Sequence, residues 1–83
     1  MKILIVDDER AIRYSLKEIL EMEGYQVETA ENGLEGLQKA EKEKYDAIFC
    51  DIKMPEMDGT EMLSKLMEEG IESPVVKIGR AHV

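Results

Sequence analysis

Short apolar runs of strand length alternate along the chain with stretches whose apolar residues recur every three to four positions, and turn or capping residues mark each change of period. The order this predicts is βαβαβαβ. Residues 3–6 form a continuous, largely β-branched run (Ile-Leu-Ile-Val), as in a central strand covered on both faces. Ile12, Leu16, Ile19 and Leu20 then fall on one stripe of a helix that Gly24 stops. Tyr25, Val27 and Thr29 alternate with Gln26, Glu28 and Ala30, which predicts a half-exposed strand at an edge. Asn32 and Glu35 have capping-box spacing and open a second helix that carries Leu34, Leu37 and Ala40 inward. Asp46 leads into a third buried run, Ala47, Ile48, Phe49 and Cys50, which stops at Asp51 and passes into a loop over 52–57. Asp58 and Glu61 form another capping-box pair, ahead of a helix with Met62, Leu63, Leu66 and Met67 on one face and Gly70 at its end. Pro74, Val75 and Val76 begin a fourth strand.

Strands separated by helices run parallel with right-handed crossovers, so the pattern predicts an α/β fold with a doubly wound sheet. Ligands in such folds gather at the carboxyl ends of the strands. Composition narrows the picture. A chain of 83 residues makes one small domain, with 43% apolar and 36% charged residues typical of a folded core. A formal charge of −8 opposes binding to nucleic acid or to anionic membrane surfaces. The single cysteine, Cys50, rules out an internal disulfide and reads as a small buried hydrophobe. The apolar run at the N-terminus is too short for a signal peptide or a membrane span, and a cytoplasmic location is expected.

Asp7 and Asp8 directly follow the first strand and Asp51 directly follows the third apolar run. If those strands are neighbours, about 4.8 Å apart, three carboxylates meet at one end of the sheet. They stay ionised together only if a cation compensates or some take up protons. Mg²⁺, a hard ion that takes one or two carboxylates and keeps positions for water or phosphate oxygens, resolves the repulsion and makes Asp51 a candidate covalent nucleophile. Each aspartate has a plainer reading when taken singly, because Asp after a strand is a common helix cap: Asp8 can cap the first helix, and capping accounts for Asp58. Only the joint placement of Asp7, Asp8 and Asp51 favours chemistry.

Two segments, Ile3-Leu-Ile-Val-Asp-Asp-Glu9 and Asp51-Ile-Lys-Met-Pro-Glu-Met-Asp-Gly59, resemble the receiver domains of two-component response regulators, and the likeness extends over residues 1–76. The resemblance implies a flavodoxin-like sheet of order 2-1-3-4-5, incomplete here with four strands and three helices. It implies Asp51 as phosphoacceptor, Mg²⁺ held directly by Asp8, Asp51 and the backbone carbonyl of Lys53 and through water by Asp7, and a sensor histidine kinase or phosphotransfer protein as donor. The Lys53 side chain is expected in solvent. Pro55 and Gly59 read as residues that shape the loop. Asp-Ile-Lys-Met-Pro together with Ser15-Leu-Lys-Glu-Ile-Leu20 is similar to receivers attached to sigma-54-dependent activators, implying an output domain of that kind outside this segment.

The chain also departs from the family. Receivers carry a Ser or Thr at the end of the fourth strand, a position that falls here on Gly79, and a Lys after a fifth strand. Without both, the phosphorylation switch is expected to be incomplete and the isolated chain to be association-prone. Lys77 is unusual in a buried strand. Ile78-Gly-Arg-Ala-His-Val83 resembles a translated sequencing adapter (ATC GGA AGA GCA CAC GTC), so the expected organisation is a partial receiver over 1–76 and a non-native tail over 77–83. His82, alone in that tail, is assigned no role. Two other functions fit the aspartates: an interaction module that never takes phosphate, and a phosphatase with an aspartate nucleophile. The second usually needs another Asp two residues later, where this chain has Lys53, so a non-enzymatic signalling module is the expectation.

Overall fold

In the computed structural model, residues 1–51, 59–71 and 73–78 are described. The elements run β1 (Lys2–Val6), α1 (Arg10–Met22), β2 (Gln26–Ala30), α2 (Gly33–Lys42), β3 (Ala47–Asp51), α3 (Gly59–Glu68) and β4 (Val75–Ile78). All strand pairs are parallel and the sheet order is β2-β1-β3-β4, which agrees with the predicted alternation and with β1 lying inside the sheet.

The period of two in β1 divides the core. Leu4 and Val6 point to one face and pack with Ala30, Leu37, Ala40, Tyr45, Ile48, Cys50 and Leu66, so α2 and α3 cover that side. Ile3 and Ile5 point to the other and pack with Val27, Leu16, Leu20, Tyr25 and Phe49, beneath α1. Ala30 is buried although the alternation of β2 suggested an outward position, because α2 covers the face that the pattern left to solvent.

α1 and α3 end in the same way. Gly24 (φ +94°) and Gly70 (φ +71°) occupy the left-handed position past the last turn. Tyr25 N–H returns to the Leu20 carbonyl and Gly24 N–H to Glu21, while Ile71 N–H returns to Leu66 and Gly70 N–H to Met67. In each case the residue after the glycine is apolar and joins the core beside its hydrogen-bond partner (Tyr25 with Leu20, Ile71 with Leu66), so the chain is turned toward the next strand. α2 opens at the predicted cap: Asn32 Oδ1 accepts from Glu35 N–H at 2.8 Å, while the Glu35 carboxylate accepts from Glu31 N–H at 3.4 Å, one residue before the cap residue that a capping box would use.

Three apolar positions differ from expectation. Ile19 (57% exposed), Leu34 (44%) and Met67 (71%) were placed on inward faces and lie outside. Each neighbours a residue that takes the inward position, namely Leu20, Leu37 and Leu66, and a helix on one face of a four-stranded sheet buries a narrower stripe than periodicity marks. The N-cap of α1 falls on Glu9 rather than Asp8 and makes no side-chain capping bond. The Asp58–Glu61 box, the loop at 52–57 with Pro55, and the side chains of Met62, Leu63 and Lys77 lie outside the described residues, as does the segment 79–83 with Gly79 and His82. The backbone of β4 continues through Lys77 and Ile78, two residues into the segment set apart as a tail.

Candidate functional site at the carboxyl edge of the sheet

β1 and β3 end side by side. Val6 pairs with Cys50, so the next rung of the same parallel register sets Asp7 beside Asp51, with strands about 4.8 Å apart. On its other side Asp51 is registered with Ile78 of β4. Val6 and Cys50, both fully buried, form an apolar floor under this edge, where electrostatic interactions are stronger than in bulk water. The adjacency of β1 and β3, on which the expected grouping of aspartates depends, is therefore present in the backbone.

Asp7 is held from several directions. Its N–H donates to the Ala30 carbonyl at 3.1 Å, extending the β1–β2 ladder by one bond. Its Oδ1 accepts from Glu9 N–H at 2.8 Å, an Asx turn that swings the chain from strand into helix. Its carbonyl accepts from Arg13 Nη1 at 2.8 Å. Asp7 is only 1% exposed, whereas Asp8, the next residue, faces solvent. One strand end thus presents one fixed, buried carboxylate and one accessible carboxylate.

Arg13 was not singled out by its sequence. It lies on the first turn and a half of α1, is 5% exposed, and besides bonding Asp7 comes within 3.8 Å of Glu31 and packs against the Tyr14 ring. The available signal was a basic residue six positions after a strand-end Asp, on the helix that the Asp turn begins. Tyr45 was missed as well. It is fully buried at the opposite edge of the sheet, with its hydroxyl 3.1 Å from Glu28 and 3.3 Å from Glu43, beside Lys2, which donates to Glu43 at 2.6 Å. Burial, followed by the hydrogen bond to Glu28, pushes the Tyr45 hydroxyl well above its usual range. The bond to Glu43 raises Lys2, and the bond from Lys2 lowers Glu43. This cluster ties the start of β1 to Glu28 of β2 and to the segment that enters β3, at the end of the sheet opposite the aspartates.

Among the described residues no three His, Cys, Asp or Glu side chains gather into a metal-binding group; the Asp51 carboxylate and all of Lys53, needed to complete the predicted set, lie outside them. The carboxylates of Asp7 and Asp8 offer the oxygen donors that a hard divalent cation prefers, one pre-oriented by a backbone N–H and one solvent-exposed. No helix among the described residues is long and apolar enough to cross a membrane.

Comparison with known proteins agrees with this architecture. The family model described as "Response regulator receiver domain" matches residues 3–82. Response regulator MprA of Mycobacterium leprae (strain TN) is 41% identical over 76 residues, covering 92% of this chain and 33% of that protein, so the chain spans about a third of the relative's length. The chemotaxis protein CheY4 of Vibrio cholerae superposes with a TM-score of 0.90 at 34% identity, over 99% of this chain and 70% of that one. The response regulator TrrA of Thermotoga maritima, in complex with Mg²⁺-BeF, superposes with a TM-score of 0.88 at 40% identity, over 94% of this chain and 68% of that one.

Proposed function

This chain belongs to the response regulator receiver family, and from that premise we propose that it is a signalling module that accepts a phosphoryl group on Asp51 from a sensor histidine kinase or a phosphotransfer protein. The observation that carries the proposal is the register of β1 against β3, which brings Asp7 and Asp8 to the strand end where Asp51 lies.

In the transfer, a carboxylate oxygen of Asp51 bonds to phosphorus as the P–N bond of the donor phosphohistidine breaks and its electron pair remains on the imidazole nitrogen. Asp8, Asp51 and the Lys53 carbonyl would hold Mg²⁺, with Asp7 acting through water. When bound there, Mg²⁺ would supply charge neutralisation at the phosphoryl oxygens. The chain's own contribution is positional: the Asx turn and the ladder bond at Asp7 fix the strand end, and the apolar floor of Val6 and Cys50 keeps water from beneath it. The likeness to a protein solved with Mg²⁺-BeF supports the same chemistry. A cytoplasmic location and an output domain outside this segment complete the reading.

Beryllofluoride with Mg²⁺, a phosphoryl mimic, tests it on the longest reading frame that contains this chain. Thermal stabilisation and NMR shifts at the carboxyl edge are expected for the wild type and none for Asp51→Asn. A wild type that does not respond points instead to an interaction module independent of phosphate. The organisation into 1–76 and a non-native tail over 77–83 is also our proposal. Codons for residues 78–83 other than those of the adapter would exclude it.

A further inference from the structure

Arg13 holds a charged group where desolvation is costly, and nothing in the phosphoacceptor chemistry above uses it. A buried guanidinium needs hydrogen-bonding partners, and removing them costs several times what an ordinary surface contact is worth. The partners here are specific. Nη1 donates to the main-chain carbonyl of Asp7 at 2.8 Å, Nη2 lies 3.8 Å from Glu31 at the end of β2, and the group packs against Tyr14 at 5.6 Å from the ring centroid. The Asp7 carbonyl belongs to the peptide that joins Asp7 to Asp8. Orienting that carbonyl orients the peptide plane, and with it the Asp8 N–Cα bond about which the direction of the Asp8 side chain is set.

We infer that Arg13 is a positioning residue for the cation site: by clamping the Asp7–Asp8 peptide it holds Asp8 in a binding-competent direction. The inference rests on the reading of Asp7, Asp8 and Asp51 as that site. Two effects compete. Arg13 also brings positive charge near a cation, so a purely Coulombic role would make its removal tighten Mg²⁺ binding. The guanidinium, however, donates to the neutral Asp7 carbonyl, and Glu31 offsets part of its charge. Loss of orientation therefore outweighs relief of repulsion. Groups that orient the ligands of a metal typically change its affinity by about 10–100-fold when removed.

The test is Mg²⁺ titration by calorimetry, with thermal melts at fixed ionic strength with and without Mg²⁺, on wild type, Arg13→Met and Arg13→Lys. Arg13→Met keeps the buried stem and removes donors and charge; its Mg²⁺ dissociation constant should rise about tenfold. Arg13→Lys keeps the charge but loses the planar fork, which isolates orientation from Coulomb effects; a rise of about threefold is expected. A role confined to folding would lower the melting temperature equally with and without Mg²⁺, whereas a positioning role also shrinks the Mg²⁺-induced increment. Equal or tighter Mg²⁺ binding in either variant that folds overturns the inference. Absence of Mg²⁺ binding by the wild type overturns the reading of the site itself.

Discussion

Tyr45 brings a large ring into the core and leaves its hydroxyl where Glu28 and Glu43 can reach it, so ring and hydroxyl contribute separately. Tyr45→Phe is expected to cost about 1 kcal/mol, the usual net value of one hydrogen bond. Tyr45→Ala, which leaves a cavity against Leu4 and Ile48, should cost about 3–5 kcal/mol by analogy with other aromatic truncations. Urea denaturation of the two variants separates these contributions. Glu43 carries a different signature. Its bond from Lys2 depresses its folded pKa below the ordinary 4.5, so its contribution is present above that pH and is lost as pH falls through the folded value. The stability difference between wild type and Glu43→Gln should therefore be constant at neutral pH and shrink below about pH 4.5. A difference that widens on acidification would contradict this.

At the scale of elements, the paired helix ends make a clean comparison. A Cβ at Gly24 meets no atom within 4 Å, so Gly24→Ala carries a backbone penalty without a steric one. The expected loss is about 1–2 kcal/mol, the cost of an L-residue in the left-handed region. Asn, which tolerates that region better, should recover part of it in thermal melts. A neutral Gly24→Ala would mean the turn can open without loosening β2. The capping residue of α2 was legible because an Asx-type cap is a local interaction three residues long, and Asn32→Ala should cost about 1 kcal/mol. Ile19, Leu34 and Met67 were misplaced because periodicity reports which residues share a helix face, while the width of the buried stripe depends on what the helix packs against.

For the whole molecule, a formal charge of −8 on 83 residues makes self-repulsion a general term in stability. Raising monovalent salt from about 10 to 150 mM shortens the screening length from about 30 to 8 Å, so the melting temperature should rise with salt even without Mg²⁺. A fall would show that attractive pairs such as Lys2–Glu43 outweigh the repulsion.

The order of elements, the central place of β1, the edge place of β2 and the strand-end positions of Asp7, Asp8 and Asp51 were all readable from the sequence. Strand runs, caps and stops are local, and the parallel crossover leaves few topologies for a βαβ chain. Tertiary structure alone decided that Asp7 is buried while Asp8 is exposed, that Arg13 reaches across a helical turn to the Asp7 carbonyl, and that Tyr45 is fully enclosed. Each of those facts depends on which surface of another element lies opposite. A linear pattern of polar and apolar residues encodes which side of an element turns inward, and not what it will meet there.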